Sequence, residues 1–426
     1  MSDEPRPGTE EVTPVSGAWA VEHAFRRSGA RVVATLVRHL GAHQLALAED
    51  AVQDALLRAV QRWPYQGVPD RPDAWLYEVA RRIAYDRLAR DGTAERAAAQ
   101  GAVEPPSAPA APTDPDALGD DQLTMMFLAC HPALSEDAQV MLTLRVVCGL
   151  TVREIAAALL APEPTIAQRL VRAKRTLREV NASFALPSAD EIAVRRGPVL
   201  RALYLLFAEG YAASNGESSV RNELCAEALR LAEALARTSF GASSDTAALL
   251  ALMHLQASRL AARETADGVP IPLNAQDRSL WDRTAIARGF AWFDRSMEEP
   301  GAGPSEYQLQ AAIASVHAAT VNGASTDWVL IRKLYDQLLT LAPSPFVRLN
   351  HALAVARVDG PTAGLELLEG LEQSGELRGY HLLPAMRAAL LREVGDVEGA
   401  RVATREALGL ARTGAERRLL GGWLAS

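Results

Sequence analysis

The stretch LTVREIAAALLAPEPTIAQRLVRAKRTLR, residues 150–178, constrains this chain more than any other. Val152, Ile155, Ala156 and Leu159 recur at the spacing that places them on one side of a helix. Thr151 fits the N-cap of that helix, and Glu154, three residues on, fits the closing position of a capping box. The helix must stop by Ala161-Pro162, and a second begins near Glu163-Pro164 with Ile166, Leu170, Val171 and Leu177 facing inward. Two short helices joined this tightly make a helix-turn-helix. In residues 163–178 five basic groups meet one acid, and Thr165, Gln168, Arg169, Arg172, Lys174 and Arg175 fall mostly on the outward face. A helix of this length and charge suits a DNA major groove lined by phosphates. Taken alone, such a run also describes an arginine-rich, solvated helix face.

The rest of the chain is equally helical in character. Ala, Leu, Arg and Glu dominate and aromatic residues make up only 5%, which favours an all-α fold. At 426 residues the chain is long enough for two to four separate cores. A net charge of −8 excludes a protein that coats nucleic acid throughout, but the charge is uneven: residues 91–132 carry one base and seven acids just ahead of the basic helix. The positive charge is nearly all arginine, since Lys174 and Lys333 are the two lysines. No run of eighteen apolar residues occurs, and the opening MSDEPRPGTEEVTP is acidic where a signal peptide is basic. A cytoplasmic protein with no membrane partner is expected. Cys130, Cys148 and Cys225 are odd in number and far apart, so they read as core residues and not as a disulfide or metal framework. HExxH, GxSxG, GxGxxG and P-loop motifs are missing, and neither catalysis, a metal nor a cofactor is expected.

Breaks in the helical period organise the chain. Residues 19–90 form a bundle of about four helices, interrupted at Gly41, at 63–73 and at Asp91-Gly92. Residues 91–119 are a linker rich in Ala and Pro that cannot build a core. Residues 120–186 form a second small bundle containing the helix-turn-helix. Residues 187–426 are a further helical domain, broken at Asn322-Gly323, Asp359-Gly360 and Gly395-Asp396. Those glycines lie 37 and 35 residues apart, near the period of tetratricopeptide helix pairs. The helices paired are 305–319 with 327–341, 345–357 with 361–371, and 381–393 with 398–411, so 305–411 reads as tetratricopeptide-like; an irregular helical domain is the alternative.

Two further stretches hold candidate residues. In LALAEDAVQDALLRAV, residues 45–60, Asp50 and Asp54 stand one helical turn apart with Gln53 beside them. No histidine or third ligand accompanies them, which leaves a solvated face or a docking face for a basic partner. In RPDAWLYEVARRIAYDRLAR, residues 71–90, Trp75, Arg81, Arg82, Tyr85 and Arg87 gather arginine beside aromatic rings. That combination suits unstacked bases and phosphates, although Trp75 and Tyr85 fit a core equally well.

The order AEDAVQDA, RWP, PDAWLYEVARRIAYDRL, a linker and LTVREIAAAL resembles an extracytoplasmic-function (ECF) RNA polymerase sigma factor, with 19–90 similar to sigma region 2 and 120–186 to region 4. The resemblance implies core RNA polymerase and promoter DNA as partners. It implies polymerase docking by Asp50, Gln53 and Asp54, minus-ten recognition by residues 63–90, and minus-thirty-five recognition by helix 163–178 with Arg169, Arg172, Lys174 and Arg175. Arg82 departs from the family, which often has Asn there. In the family the linker threads toward the polymerase active centre, and Asp114, Asp116, Asp120 and Asp121 give it the sign of RNA. LTMMFLACHPALS, LLFAEGYAASNGE and AQDRSLWDR resemble the ECF group that carries a C-terminal tetratricopeptide-like extension, which implies transcription regulation by that domain. An unknown ligand or protein is expected there, with Glu209-Gly210-Tyr211 and Gln276-Asp277-Arg278 as a pocket, a docking surface or buried structural groups. A chain ending after Leu186 is expected to keep its helices. The competing function is an autonomous helix-turn-helix regulator with a ligand-sensing domain.

Overall fold

The structure, a computed structural model, describes residues 17–98, 115–298, 303–320 and 325–425. The acidic opening, residues 99–114 of the expected linker, the side chains of Asp116 and Asp120, and the Asn322-Gly323 break lie outside the described residues. Among the described residues the fold is all-α, as expected, with no strand. The chain divides into two compact units, residues 1–151 with 164–187, and residues 152–163 with 188–426.

In the first unit α1 (Gly17–Leu40), α2 (Leu45–Gln66) and α3 (Pro72–Ala98) pack against one another. Gly41 ends α1 at φ 89°, a backbone conformation that a Cβ disfavours, and α2 begins four residues later. Leu36 and Val37 of α1, Val52, Leu56 and Trp63 of α2, and Leu76 and Ile83 of α3 are buried, each large apolar side chain contributing about 1.5–3 kcal/mol. Pro72 starts α3, where its missing N–H costs nothing. The expected stop at Asp91-Gly92 does not occur; α3 continues to Ala98, because one glycine costs only about 1 kcal/mol against the good helix formers that follow it. At its other end the linker gives way to α4 (Pro115–Ala129), which packs on α1 and on α5 (Glu136–Val146). Asp121, expected to lend the linker an exposed negative charge, is instead buried: it accepts a hydrogen bond from Thr35 Oγ1 at 2.9 Å and pairs with Arg38 at 3.2 Å. The three cysteines are buried.

α6 (Val152–Ala158) and α7 (Glu163–Glu179) flank a four-residue turn in which Leu160 takes φ 49°. α6 belongs to the second unit, where it packs on α8 (Ala189–Tyr211). A capping box between Ser188 and Glu191 starts α8, with Ser188 N donating to Glu191 Oε2 at 2.9 Å. There follow α9 (Asn222–Arg237), α10 (Ser244–Ala257), α11 (Arg283–Ser296), α12 (Glu306–Ala319), α13 (Trp328–Leu341), α14 (Pro345–Asp359), α15 (Pro361–Ser374), α16 (Leu382–Glu393), α17 (Val397–Leu410) and α18 (Gly414–Ala425). Each packs on its successor. Helices α12 to α17 start and stop within three residues of the positions read from the glycine period, and Gly360 and Gly395 hold positive φ at 100° and 84°. The series closes on itself. Gly414 N donates to Gly216 O and Ala415 N to Glu217 O, both at 2.9 Å, and Arg418 reaches the carbonyl oxygens of Glu217 and Gly268.

Candidate nucleic-acid and polymerase interface

The inward stripe of α7 is Ile166, Leu170, Ala173 and Leu177, all buried. Val171 was expected in that stripe but is 68% exposed, because it sits about a third of a turn away from Leu170 at 100° per residue. Gln168, Val171, Arg172 and Arg175 instead share an exposed face at i, i+3, i+4 and i+7, with Arg169 exposed at its edge and Thr165 half-buried. Arginine forks beside glutamine and one exposed methyl-bearing side chain offer what a major groove reads: guanine N7 and O6, adenine N6 and N7, and the thymine methyl. Arg175 pairs with Glu179 at 3.5 Å, but both are exposed and the pair is weak. Lys174 does not join this face. Its Nζ lies 2.5 Å from Glu49 Oε2, and Arg145 Nε approaches the same carboxylate at 3.9 Å. Glu49 is buried in α2, and these two cations face its carboxylate there.

On α2 and α3 the candidate residues separate into two groups. Trp75 is half-buried, its ring edge-on to the buried Trp63 at 5.5 Å, so it is tied to the core. Arg81 Nη2 donates to Glu78 at 2.7 Å, Arg82 is exposed and Tyr85 is half-buried. Arg87 leaves this group: its Nη2 donates to Asp54 Oδ2 at 2.6 Å and its Nη1 lies 3.9 Å from Asp50. Asp50 and Gln53 are exposed, and Leu57 and Val60, 60% and 50% exposed, extend the same side of α2. Periodicity alone hides Leu57 and Val60, since apolar residues on a helix are assigned to the core. Ala48, Val52, Ala55 and Ala59 already complete the buried stripe, and that was the available signal.

Glu154, read as a capping residue, has a larger role in the second unit. Its carboxylate is 2% exposed and accepts from Arg221 Nη1 at 2.5 Å. The same nitrogen lies 3.4 Å from Glu209, which also accepts from Ser214 N and Ser214 Oγ at 3.1 Å. Nothing in the local sequence around Arg221 marks this role. Gly210 is required by close packing, since a Cβ there would lie 2.7 Å from the Cys225 amide. Gln276 donates to Ile271 O at 3.0 Å, and Asp277 caps a short turn, the hydrogen bonds from Ser279 holding its carboxyl below the usual range. Glu209-Gly210 and Gln276-Asp277 are thus structural, whereas Tyr211 and Arg278 lie on either side of Arg259 and Trp281. Among the described residues no His, Cys, Asp and Glu side chains group as a metal site.

Residues 24–93 match sigma-70 region 2 and residues 124–177 match sigma-70 region 4. Residues 195–297 match a family of unknown function, DUF6596. The chain is a sigma-70-family factor, a protein that directs RNA polymerase to promoters. It belongs to one family with the uncharacterized protein R00370 of Rhizobium meliloti (strain 1021), to which it is 39% identical over 376 residues, 87% of this chain and 88% of that one. No solved structure matches it. No described helix is long and apolar enough to cross a membrane.

Proposed function

We propose that this chain is an ECF-type sigma factor of the cytoplasm whose helical domain, residues 187–426 with a tetratricopeptide-like part at 305–411, regulates transcription initiation. The exposed face of α7, with Gln168, Arg169, Val171, Arg172 and Arg175 over a fully apolar inward stripe, is the observation that carries the reading. α7 reads the minus-thirty-five element. Residues 63–90 read the minus-ten element, with Arg82 and Tyr85 toward DNA and Trp75 and Arg81 holding the helix in place. Asp50, Gln53 and Asp54 dock on polymerase together with the exposed Leu57 and Val60, which add apolar contact to charge complementarity. The Arg221–Glu154 pair supports regulation by the C-terminal domain, because it fastens the first helix of the helix-turn-helix to that domain.

The double substitution Asp50→Arg with Asp54→Arg tests the polymerase side. Co-elution with core RNA polymerase is expected to be lost while circular dichroism is unchanged, and retained co-elution would remove this docking assignment.

A further inference from the structure

The C-terminal domain gathers arginine where it has little acid to meet it. Arg259 and Arg263 follow α10, four residues apart. Arg259 Nη2 donates to the Tyr211 hydroxyl, and its guanidinium carbon lies 5.4 Å from the Tyr211 ring and 5.7 Å from the Trp281 ring. The Arg263 guanidinium stacks on the Tyr211 ring at 3.7 Å. Among the described residues no carboxylate pairs with either arginine. The adjacent acid, Glu264, is engaged elsewhere, accepting from Ser219 N and Ser219 Oγ at 2.6 Å. Arg278 is already used: its Nη1 donates to His317 O at 2.6 Å, Thr320 O at 2.9 Å and Thr320 Oγ1 at 2.6 Å, closing the end of α12.

Donors in this cluster are also left over. Among the described residues Arg263 Nε and Trp281 Nε1 are buried without a hydrogen-bond partner. Burial pulls the Arg259 guanidinium below its ordinary range, and burial together with Arg259 and Arg278 pulls His317 down to about 4. Both guanidiniums are half-buried with no acid beside them, and a planar fork of N–H groups matches a carboxylate or phosphate. Phenols supply the neighbouring surface. The Tyr204 and Tyr307 rings lie 6.1 Å apart, and burial raises the Tyr335 phenol while the positive charge of Arg259 opposes the rise.

We propose that the C-terminal domain binds a small organic oxyanion, a carboxylate or a phosphate monoester, with its charged group on Arg259 and Arg263 and its body against the neighbouring phenols. Tyr211 aligns the two forks. The proposal deepens the regulatory reading of this domain by naming the class of ligand. It is tested without polymerase or DNA, so its failure leaves the promoter assignment standing, and the converse also holds.

Isothermal titration of the full chain with phenyl phosphate and with benzoate, against neutral benzyl alcohol, decides it. Saturable binding of at least one anion is expected, with no saturable heat from the alcohol, and with affinity at least about tenfold weaker in Arg263→Gln. The stronger of the two anions identifies the charged group. Absence of saturable binding by both anions, equal binding of the alcohol, or undiminished affinity in Arg263→Gln would overturn the proposal. Inorganic phosphate binding as tightly as phenyl phosphate would overturn the organic body. Should Arg263→Gln fail to fold, the comparison of anion with alcohol on the unaltered chain remains decisive.

Discussion

Two arginine–carboxylate clusters show how this chain separates surfaces that change partners from joints that do not. Arg87 spans Asp54 and Asp50 on the outside of α2 and α3, where the side chains of Asp50 and Asp54 are 68% and 41% exposed. Arg221 spans Glu154 and Glu209, both almost completely buried. An exposed pair of this kind contributes about 0–1 kcal/mol, so a basic partner can displace Arg87 from the two aspartates at small cost. Breaking a buried pair by removing one partner costs about 3–5 kcal/mol, because a carboxylate is left uncompensated away from water. The first arrangement suits a docking face, and the second suits a permanent joint between α6 and the C-terminal domain.

The sharpest way to break this contrast is Arg221→Ala. It should destabilise the C-terminal unit by about 3–5 kcal/mol in denaturant unfolding, and a loss below about 1 kcal/mol would place Arg221 with the surface pairs. Promoter binding tests the exposed arginines of α7 next. Arg169→Ala and Arg172→Ala should each cost about 1–3 kcal/mol if the side chain meets a base edge, or mainly reduce the salt dependence if it meets a phosphate. Lys174→Ala, by contrast, should act chiefly on stability through Glu49.

A pH titration sharpens the picture of the buried side. His317 is pulled down to about 4 by burial and by Arg259 and Arg278, and burial also lowers His254 and His381 despite Glu233 and Glu416 beside them. The unfolded chain takes up protons near pH 6.5 that the folded chain refuses, so stability should fall as pH drops from about 6.5 toward 4. His317→Gln should reduce that fall by on the order of 2 kcal/mol, measured as the difference in unfolding free energy between pH 7 and pH 4.5. The smallest effect belongs to Arg87→Ala: a stability change below about 1 kcal/mol, read by thermal unfolding.

Much of this organisation was legible in the sequence because it rests on local periodicity. The helix starts of α12 to α17 follow from glycine and proline spacing, and the outward set on α7 follows from a 3.6-residue period. Long-range pairing was not legible. Glu154 reads as a capping residue until Arg221, 67 positions later, is placed beside it, and Lys174 reads as a DNA contact until Glu49 appears. Val171 departs from its expected place for a different reason: adjacent apolar residues both fit a loosely drawn stripe, and only the packed structure separates Leu170 from it. A chain ending after Leu186, expected to keep its helices, would retain α6 and its buried Glu154 but lose Arg221 and α8. Arg259 and Arg263 carry no motif at all, and the aromatic rings that define their surroundings come from distant segments.

The proposed role has this chain bring RNA polymerase to a promoter through α2, α3 and α7. Run-off transcription with core RNA polymerase, on a fragment carrying the region upstream of the chain's own gene, tests it most directly. A discrete transcript should appear only when the chain is added, should vanish with Asp50→Arg and Asp54→Arg together, and should weaken strongly with Arg169→Ala and Arg172→Ala together. No chain-dependent transcript, combined with tight, sequence-specific binding to the same duplex in the absence of polymerase, would contradict it and would describe an autonomous DNA-binding regulator instead.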